Sequence, residues 1–531
     1  MLFDLLIRNG LVFDGSSGPP TRADVGVVGD QIHEVGDLKA ATGREEIDAA
    51  GEAVAPGFID SHTHSDLAWR LEDADVAVTT AAVMQGVTTE VCGNCGFSPF
   101  PHLPAHRADL ERHMSVLFGK TSLAWADLAG FAESIARAGV HGNLAPLVGH
   151  GSVRVGVLGF ENRSPQKAEL RTMARLIEEA FEQGAFGLSS GLIYMPGVYA
   201  RTEELIELAK TVARYGRPYV SHIRGETDMV AESVSEAIRI GRESGAPTHI
   251  SHHKTAGREN WGRTAETLAI IDDARRSGSD VTLDVYPYTA ASTLLYAMLP
   301  PWALAGGVTE ILGRLRDSVS RDRIRKELSE PSSHWENMAR AASFDRIYIS
   351  SCPAKPEVEG HSVAELAAEA GNDSADYIFD LLIEAECRAT MILHMMDEAD
   401  VRRVLAYEGA MIGSDGIPLP GKPHPRWAGT FSRTLGHYRR EQHLFDLSTA
   451  ISKMTGLPAE RFGLKDRGSL RKHKAADLVV FDADKVNDRA TFDDPLLSPD
   501  GVSAVIVNGV AVVRGGQLTG ERPGRVLKAG S

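Results

Sequence analysis

Short apolar runs and helical stretches alternate through the middle of this chain, and that alternation constrains its fold more than any other feature. Parallel strands cannot be joined by a tight turn; they need a long crossover, usually a helix. The apolar runs end near Asp60, Val91, Val148, Ser189, Ser221, Ser251, Val285 and Gly413, which makes eight. Between several of them lie helical patterns: Thr202 is placed to cap a helix running to Gly216, and Ala231 to Gly245 reads as another. Eight βα units predict an α/β fold closed as a (β/α)8 TIM-like barrel, in which active sites are built at the C-terminal strand ends. The stretch between the seventh and eighth strands, about 287–407, is too long for one loop. It carries helical patterns of its own, including Ser362 and Glu365 spaced as a capping box, and is expected to form an insertion or lid.

The two ends have another texture. Leu5 to Gly15 reads as a strand pair turned at Asn9-Gly10, and Asp477–Phe481 and Val502–Val513 read as strands with a second Asn-Gly turn at 508–509. Two β-rich ends around a long middle predict one small β-domain assembled from residues 1–56 and 468–531, with the barrel over 57–467.

Composition excludes several functions. A net charge of −16 argues against a nucleic-acid or anionic-membrane surface, and no run of about 20 apolar residues offers a membrane span. The first residues are interrupted by charge and do not form a signal peptide, and four cysteines (92, 95, 352 and 387) make no disulfide framework. The expectation is a cytoplasmic protein acting on a small molecule, with homo-oligomerisation left open.

Metal-binding residue types fall on the strand ends. The first ends Gly57-Phe58-Ile59-Asp60-Ser61-His62-Thr63-His64, and residues i and i+2 of a strand point the same way, so both imidazoles can meet one ion. Two solvated histidines in a turn is the competing reading of that motif alone. The second strand leads into Cys92-Gly93-Asn94-Cys95, the fifth ends in His222, the sixth in His252-His253-Lys254, and the eighth in Ser414-Asp415-Gly416. His253 faces away from His252 if both lie on a strand, and is read as structural. Taken in order, these ligands outweigh the local readings of each.

The ordered set resembles the amidohydrolase superfamily and, within it, the N-acyl-D-amino-acid deacylases (D-aminoacylases). The resemblance includes Gly93-Asn94-Cys95-Gly96-Phe97-Ser98, Gly187 to Tyr194, Ser251-His252-His253-Lys254, Asp284-Val285-Tyr286-Pro287-Tyr288, Gly413-Ser414-Asp415-Gly416, His424-Pro425-Arg426 and Gly429 to Gly436. It implies a barrel joined to a β-sandwich formed from the two chain ends. Hydantoinase-like members bridge two metals with a carbamylated lysine at the end of strand four; here that strand ends Leu188-Ser189-Ser190, without one. The resemblance makes Cys95 the bridging thiolate. Cys95, His222 and His252 would then hold one zinc tightly, and His62, His64 and Asp415 would line a second, weaker position. An inert core cysteine, or a Cys92-x-x-Cys95 ribbon or redox pair, are the local alternatives for Cys95.

The implied activity is zinc-dependent hydrolysis of the amide bond of N-acyl-D-amino acids, with Asp415 moving the proton from the attacking water to the departing amine. Arg426 and Lys254 are the family-matched partners for the substrate carboxylate, with Tyr286 and Ser292 as hydrogen-bond donors. His150 and Tyr194 are candidates for contact with the scissile carbonyl, against plain core roles. Arg224 and Glu226, just after His222, read as braces. A cyclic amide, a dipeptide or an N-acyl amine is the alternative substrate, and a non-catalytic scaffold barrel the alternative of another class.

Overall fold

The computed structural model describes residues 2–71, 76–332 and 334–530. Among them, parallel strands follow one another around an α/β barrel: Phe58–Asp60, Val87–Cys92, Asn143–Pro146 continued by Val148–Gly149, Leu188–Gly191, Tyr219–His222, Thr248–Ile250, Val281–Val285 and Ala410–Ile412. The third strand steps at Leu147, whose N–H donates to Cys92 O at 2.8 Å while the next N–H, of Val148, donates to Gly187 O at 2.9 Å. The ring closes beyond the strand ends, where the N–H of Asp415 donates to His62 O (2.8 Å) and that of His64 to Gly416 O (2.9 Å). Asp60 ties the same seam, accepting from the amides of His62 and Ser414 at 3.2 and 2.8 Å.

Several crossover helices pack outside by presenting one apolar stripe. Lys167–Glu182, for example, buries Met173, Leu176, Ile177 and Ala180, the i, i+3, i+4, i+7 pattern. The expected helix after strand four spans Thr202–Arg214, but Thr202 does not cap it. Arg201 is the N-cap residue, and the Thr202 hydroxyl donates instead to the Glu236 carboxylate on the next helix at 2.7 Å. Thr202 is the first residue inside the helix and not its cap, so its hydroxyl is left to donate to that charged acceptor. Val230–Ser244 ends as expected at Gly245, in the left-handed conformation.

Both chain ends enter one nine-stranded sheet, in which Leu478–Phe481 lies antiparallel to Ala53–Pro56, the strand that feeds the barrel. Alternation along Leu478–Phe481 explains how the sheet docks. Leu478 and Val480 face a core with Leu5, Val25 and Ile506, whereas Val479 and Phe481 face one with Phe58 and Val87 of the barrel. The hairpin expected at Asn9-Gly10 does not form. Leu2–Val12 is one strand with a bulge between Ile7 and Gly10, paired with Thr21–Val28 and with both Thr42–Asp48 and Ala53–Pro56. Ladders with these partners override a local turn preference. Asn508-Gly509 does turn, with φ of 50° and 82° joining Val502–Val507 to Val510–Arg514.

Between the seventh and eighth strands lies a three-stranded antiparallel sheet of Ala291–Leu294, Thr390–Leu393 and Ile347–Ser351. Helices including Val308–Arg316, Ser318–Ser329, Val363–Glu369 and Ser374–Glu384 surround it. The Ser362–Glu365 capping box is present, at 3.0 and 3.2 Å. No described helix is long and apolar enough to cross a membrane.

Candidate metal centre

Side chains from five strand ends meet at one focus. Cys95 Sγ lies 3.4 Å from His62 Nε2, 3.6 Å from His222 Nδ1 and 3.5 Å from His252 Nε2. Asp415 Oδ1 lies 3.4 Å from His62 Nε2 and 3.3 Å from His64 Nε2. Two buried donor sets result, His62–His64–Cys95–Asp415 and Cys95–His222–His252, and the cysteine sulfur belongs to both. Cys95, His252 and Asp415 all adopt left-handed backbone conformations, with φ of 52°, 34° and 50°. Non-glycine residues persist there only where the surroundings over-determine them, as at binding sites.

Cys95 reaches the focus from the loop after strand two because strand four ends in glycine. A Cβ on Gly191 would stand 2.1 Å from the Cys95 carbonyl oxygen. The missing side chain is the space that admits the loop.

The donors fit zinc. A sulfur, imidazole nitrogens and a carboxylate oxygen are its usual ligands. Burial, with Asp415 and Glu226 adding, pushes the Cys95 thiol well above its ordinary pKa, and a divalent cation held by these groups would favour the thiolate. Burial and the neighbouring His252 hold His222 well below its ordinary value, so its imidazole is neutral with a lone pair available. His64 Nδ1 and His222 Nε2 have no hydrogen-bond partner among the described residues.

The groups behind the donors orient them. Asp284 accepts the His252 N–H through Oδ1 at 2.7 Å, while its Oδ2 lies 2.6 Å from His249 Nε2 and 3.6 Å from His62 Nδ1. Burial opposes its charge, but these histidines hold the carboxyl far below the ordinary range. Sequence reasoning did not single out Asp284 as a site residue; an acid near the end of the strand Val281–Val285 was the available signal. Glu226 Oε1 lies 3.0 Å from His252 Nδ1 and 2.5 Å from Lys254 Nζ, and Lys254 Nζ is itself 2.8 Å from His252 Nδ1. Arg224 is turned away, paired with Glu236 at 2.8 Å.

On the other side, Arg426 Nη2 donates to Asp415 Oδ2 at 2.9 Å and to the Ser292 carbonyl at 3.0 Å. Burial opposes the Asp415 charge, yet Arg426, followed by His252, holds the carboxyl well below its ordinary pKa. Ser292 thus meets the site through its carbonyl and not, as expected, its hydroxyl. The Tyr286 ring lies under both cations, 4.7 Å from Arg426 Cζ and 5.5 Å from Lys254 Nζ. Tyr194 sets its ring edge-on to His222 at 5.1 Å and its hydroxyl against Thr293 Oγ1 at 2.7 Å. His150 is brought to Glu204 instead, at 2.9 Å, in a buried cluster with Arg154. His253 donates or accepts at Thr267, away from the focus.

A barrel with such a cluster at its C-terminal strand ends is built as a metal-centred enzyme. The amidohydrolase family profile matches residues 45–513. An N-acyl-D-glutamate deacylase of Alcaligenes xylosoxydans xylosoxydans is 41% identical over 526 residues, 99% of this chain and 96% of the relative. A D-aminoacylase of the same organism is 40% identical, covering 99% and 97%. Among solved structures, a D-aminoacylase superposes with a TM-score of 0.84 at 39% identity, covering 99% of this chain and all of the other. The N-acyl-D-glutamate deacylase of Bordetella bronchiseptica, complexed with zinc and a phosphonate mimic of the tetrahedral intermediate, does so at 0.84 and 37%, covering both chains fully. The chain belongs to the amidohydrolase family, in its N-acyl-D-amino-acid deacylase branch.

Proposed function

We propose that this chain is a zinc-dependent deacylase that hydrolyses N-acyl-D-amino acids to a carboxylate and a free D-amino acid. The observation that carries the reading is Arg426. This guanidinium is 1% exposed, lies beside the donor cluster, and keeps Nε and Nη1 without a partner among the described residues. A buried guanidinium with two unused donors suits a carboxylate, which it grips through parallel bonds. The metal donors, the carboxylate-binding end and the relatives' activities point to one substrate class, in which an amide sits next to an α-carboxylate.

Cys95, His222 and His252 would hold the tight zinc, and His62, His64, Asp415 and the shared Cys95 a second position. Bound zinc supplies Lewis acidity that acidifies water and polarises a carbonyl. Asp415, ionised at neutral pH, is the general base that takes the proton of the attacking water and returns it to the leaving amine. Arg426 binds the α-carboxylate; Tyr286 and the Ser292 carbonyl keep that guanidinium in place, and Lys254 adds positive charge nearby. Tyr194 forms the wall beside His222, and His150 supports the strand ends from Glu204. Residues 1–56 and 468–531 form one β-sandwich domain in this reading, supported by their common sheet.

The test is a deacylation screen on paired N-acetyl-D- and N-acetyl-L-amino acids, reading free amino acid by chiral chromatography. Release from the D series alone is expected. Release from the L series, or from neither in a zinc-loaded protein, would overturn the proposal.

A further inference from the structure

The insertion delivers one carboxyl group to the back of the site. Glu336, just before the short helix Met338–Ala342, is 5% exposed, and its Oε1 accepts the backbone N–H of Glu226 at 3.1 Å. The carbonyl of Glu226 accepts from Ala256 N at 2.8 Å, so both main-chain groups of that residue are tied down. Its side chain is the one that spans His252 Nδ1 and Lys254 Nζ. Arg340, four residues on, adds a second tie by pairing with Asp228 at 3.2 Å. Glu336 also lines a cavity of about 490 Å³ with Leu192, Ile193, Tyr199, Leu299 and Trp335. Leu192 in that wall donates its N–H to the carbonyl of His222 at 3.2 Å, so the cavity adjoins the metal donors.

Two carboxyl groups this close in a buried site do not both ionise unless cations compensate each. Lys254 and His252 stabilise the charge of Glu226, while Glu336 makes no ion pair of its own among the described residues, feels Lys254 only at a distance, and leaves its Oε2 without a partner there. Burial and the Glu226 charge push the Glu336 carboxyl up to about 8. The bond from the Glu226 N–H asks only for an acceptor oxygen at that place, a part that a glutamine amide can also play.

We propose that Glu336 is a positioning residue: by holding the Glu226 backbone it sets the Glu226 carboxylate on Lys254 and His252, so that docking of the insertion completes the site. The link to turnover rests on the deacylase reading; the link to the metal does not. The test compares Glu336→Gln and Glu336→Ala in the zinc-loaded full chain, measuring kcat and KM on N-acetyl-D-amino acids and the rate of zinc release to a chromophoric chelator. Groups that orient metal ligands are typically worth 10–100-fold. Glu336→Ala should therefore lower kcat/KM about tenfold and speed zinc release by a similar factor, and Glu336→Gln should stay within about twofold of the parent. An alanine variant unchanged in both readouts, or a glutamine variant as impaired as alanine, overturns the proposal. Should the alanine variant fail to fold, Glu336→Asp, which withdraws the acceptor by one methylene, takes its place under the same criteria. If no N-acyl-D-amino acid is turned over by the parent, the deacylase reading fails, and zinc release still decides the role of Glu336.

Discussion

Replacing Asp415 by asparagine removes one negative charge from the focus while keeping its shape. The carboxylate has two tasks that the geometry separates. Oδ1 faces His62 and His64 at 3.4 and 3.3 Å, and Oδ2 faces the buried Arg426 at 2.9 Å. As the proposed general base it should contribute about 10²–10⁴ in rate, which at 1.36 kcal/mol per tenfold is about 3–5 kcal/mol of barrier. As partner of Arg426 it belongs to a buried ion pair, whose breakage costs about 3–5 kcal/mol. The asparagine oxygen still accepts a hydrogen bond from Arg426, so the loss of stability should lie at or below the lower end of that range. Metal content should divide. The donor set of Cys95, His222 and His252 does not include Asp415 and should retain its zinc, whereas the His62–His64–Cys95–Asp415 position should lose occupancy. The assay is D-amino-acid release under saturating substrate, with zinc per chain by atomic absorption and a denaturant titration. Turnover within tenfold of the parent would refute Asp415 as the base. Loss of all zinc with the fold intact would refute the assignment of the tight site.

Three further perturbations follow from the same geometry. Gly191→Ala sets a Cβ 2.1 Å from the Cys95 carbonyl and 2.7 Å from the Tyr194 ring, so it should expel the Cys95 loop and lower zinc occupancy in the folded protein; full zinc retention would contradict the crowding argument. Arg426→Lys keeps the charge but loses the paired donors, and KM should rise roughly tenfold or more while kcat falls less; an unchanged KM would remove Arg426 from carboxylate binding. Lys453 is 2% exposed, donates to the Ala410 carbonyl at 3.1 Å, and burial pulls its pKa from 10.5 down to about 8. Between those pH values the unfolded chain binds the extra proton, so stability should rise with pH across that window. Lys453→Met should flatten that slope in denaturant titrations, and an unaltered slope would refute the assignment.

Much of the barrel was legible because its signals are local. A run such as Val87–Cys92 can be read as a strand without knowing its neighbours, and the expected strand ends lie within one or two residues of those observed. The failures were also local rules, overridden by contacts distant in sequence. Asn9-Gly10 is a strong turn signal, yet ladders on both sides of Leu2–Val12 keep it in one strand. Thr202 is a good cap by type, yet the helix caps one residue earlier at Arg201, and the Thr202 hydroxyl donates to the carboxylate of Glu236, 34 residues on. In the site, ligand types at strand ends and the brace Glu226 beside His222 could be read from the chain, but the braces Asp284 and Glu336 could not. Glu336 sits in an insertion with no motif around it, and its contact with Glu226 spans 110 residues.

The sequence by itself determined which residues form strands, which side chains those strands turn toward the barrel mouth, and hence the set of metal-binding types available. Periodicity is written in the chain, and backbone geometry converts it directly into direction. Only the tertiary structure decided that Cys95 Sγ stands within 3.6 Å of three histidines, that Arg426 meets Asp415 with two donors to spare, and that Lys254 is held by Glu226. Those outcomes depend on which groups lose water together. Desolvation is a property of the packed assembly, and a burial partner dozens or hundreds of residues away leaves no local mark on the sequence.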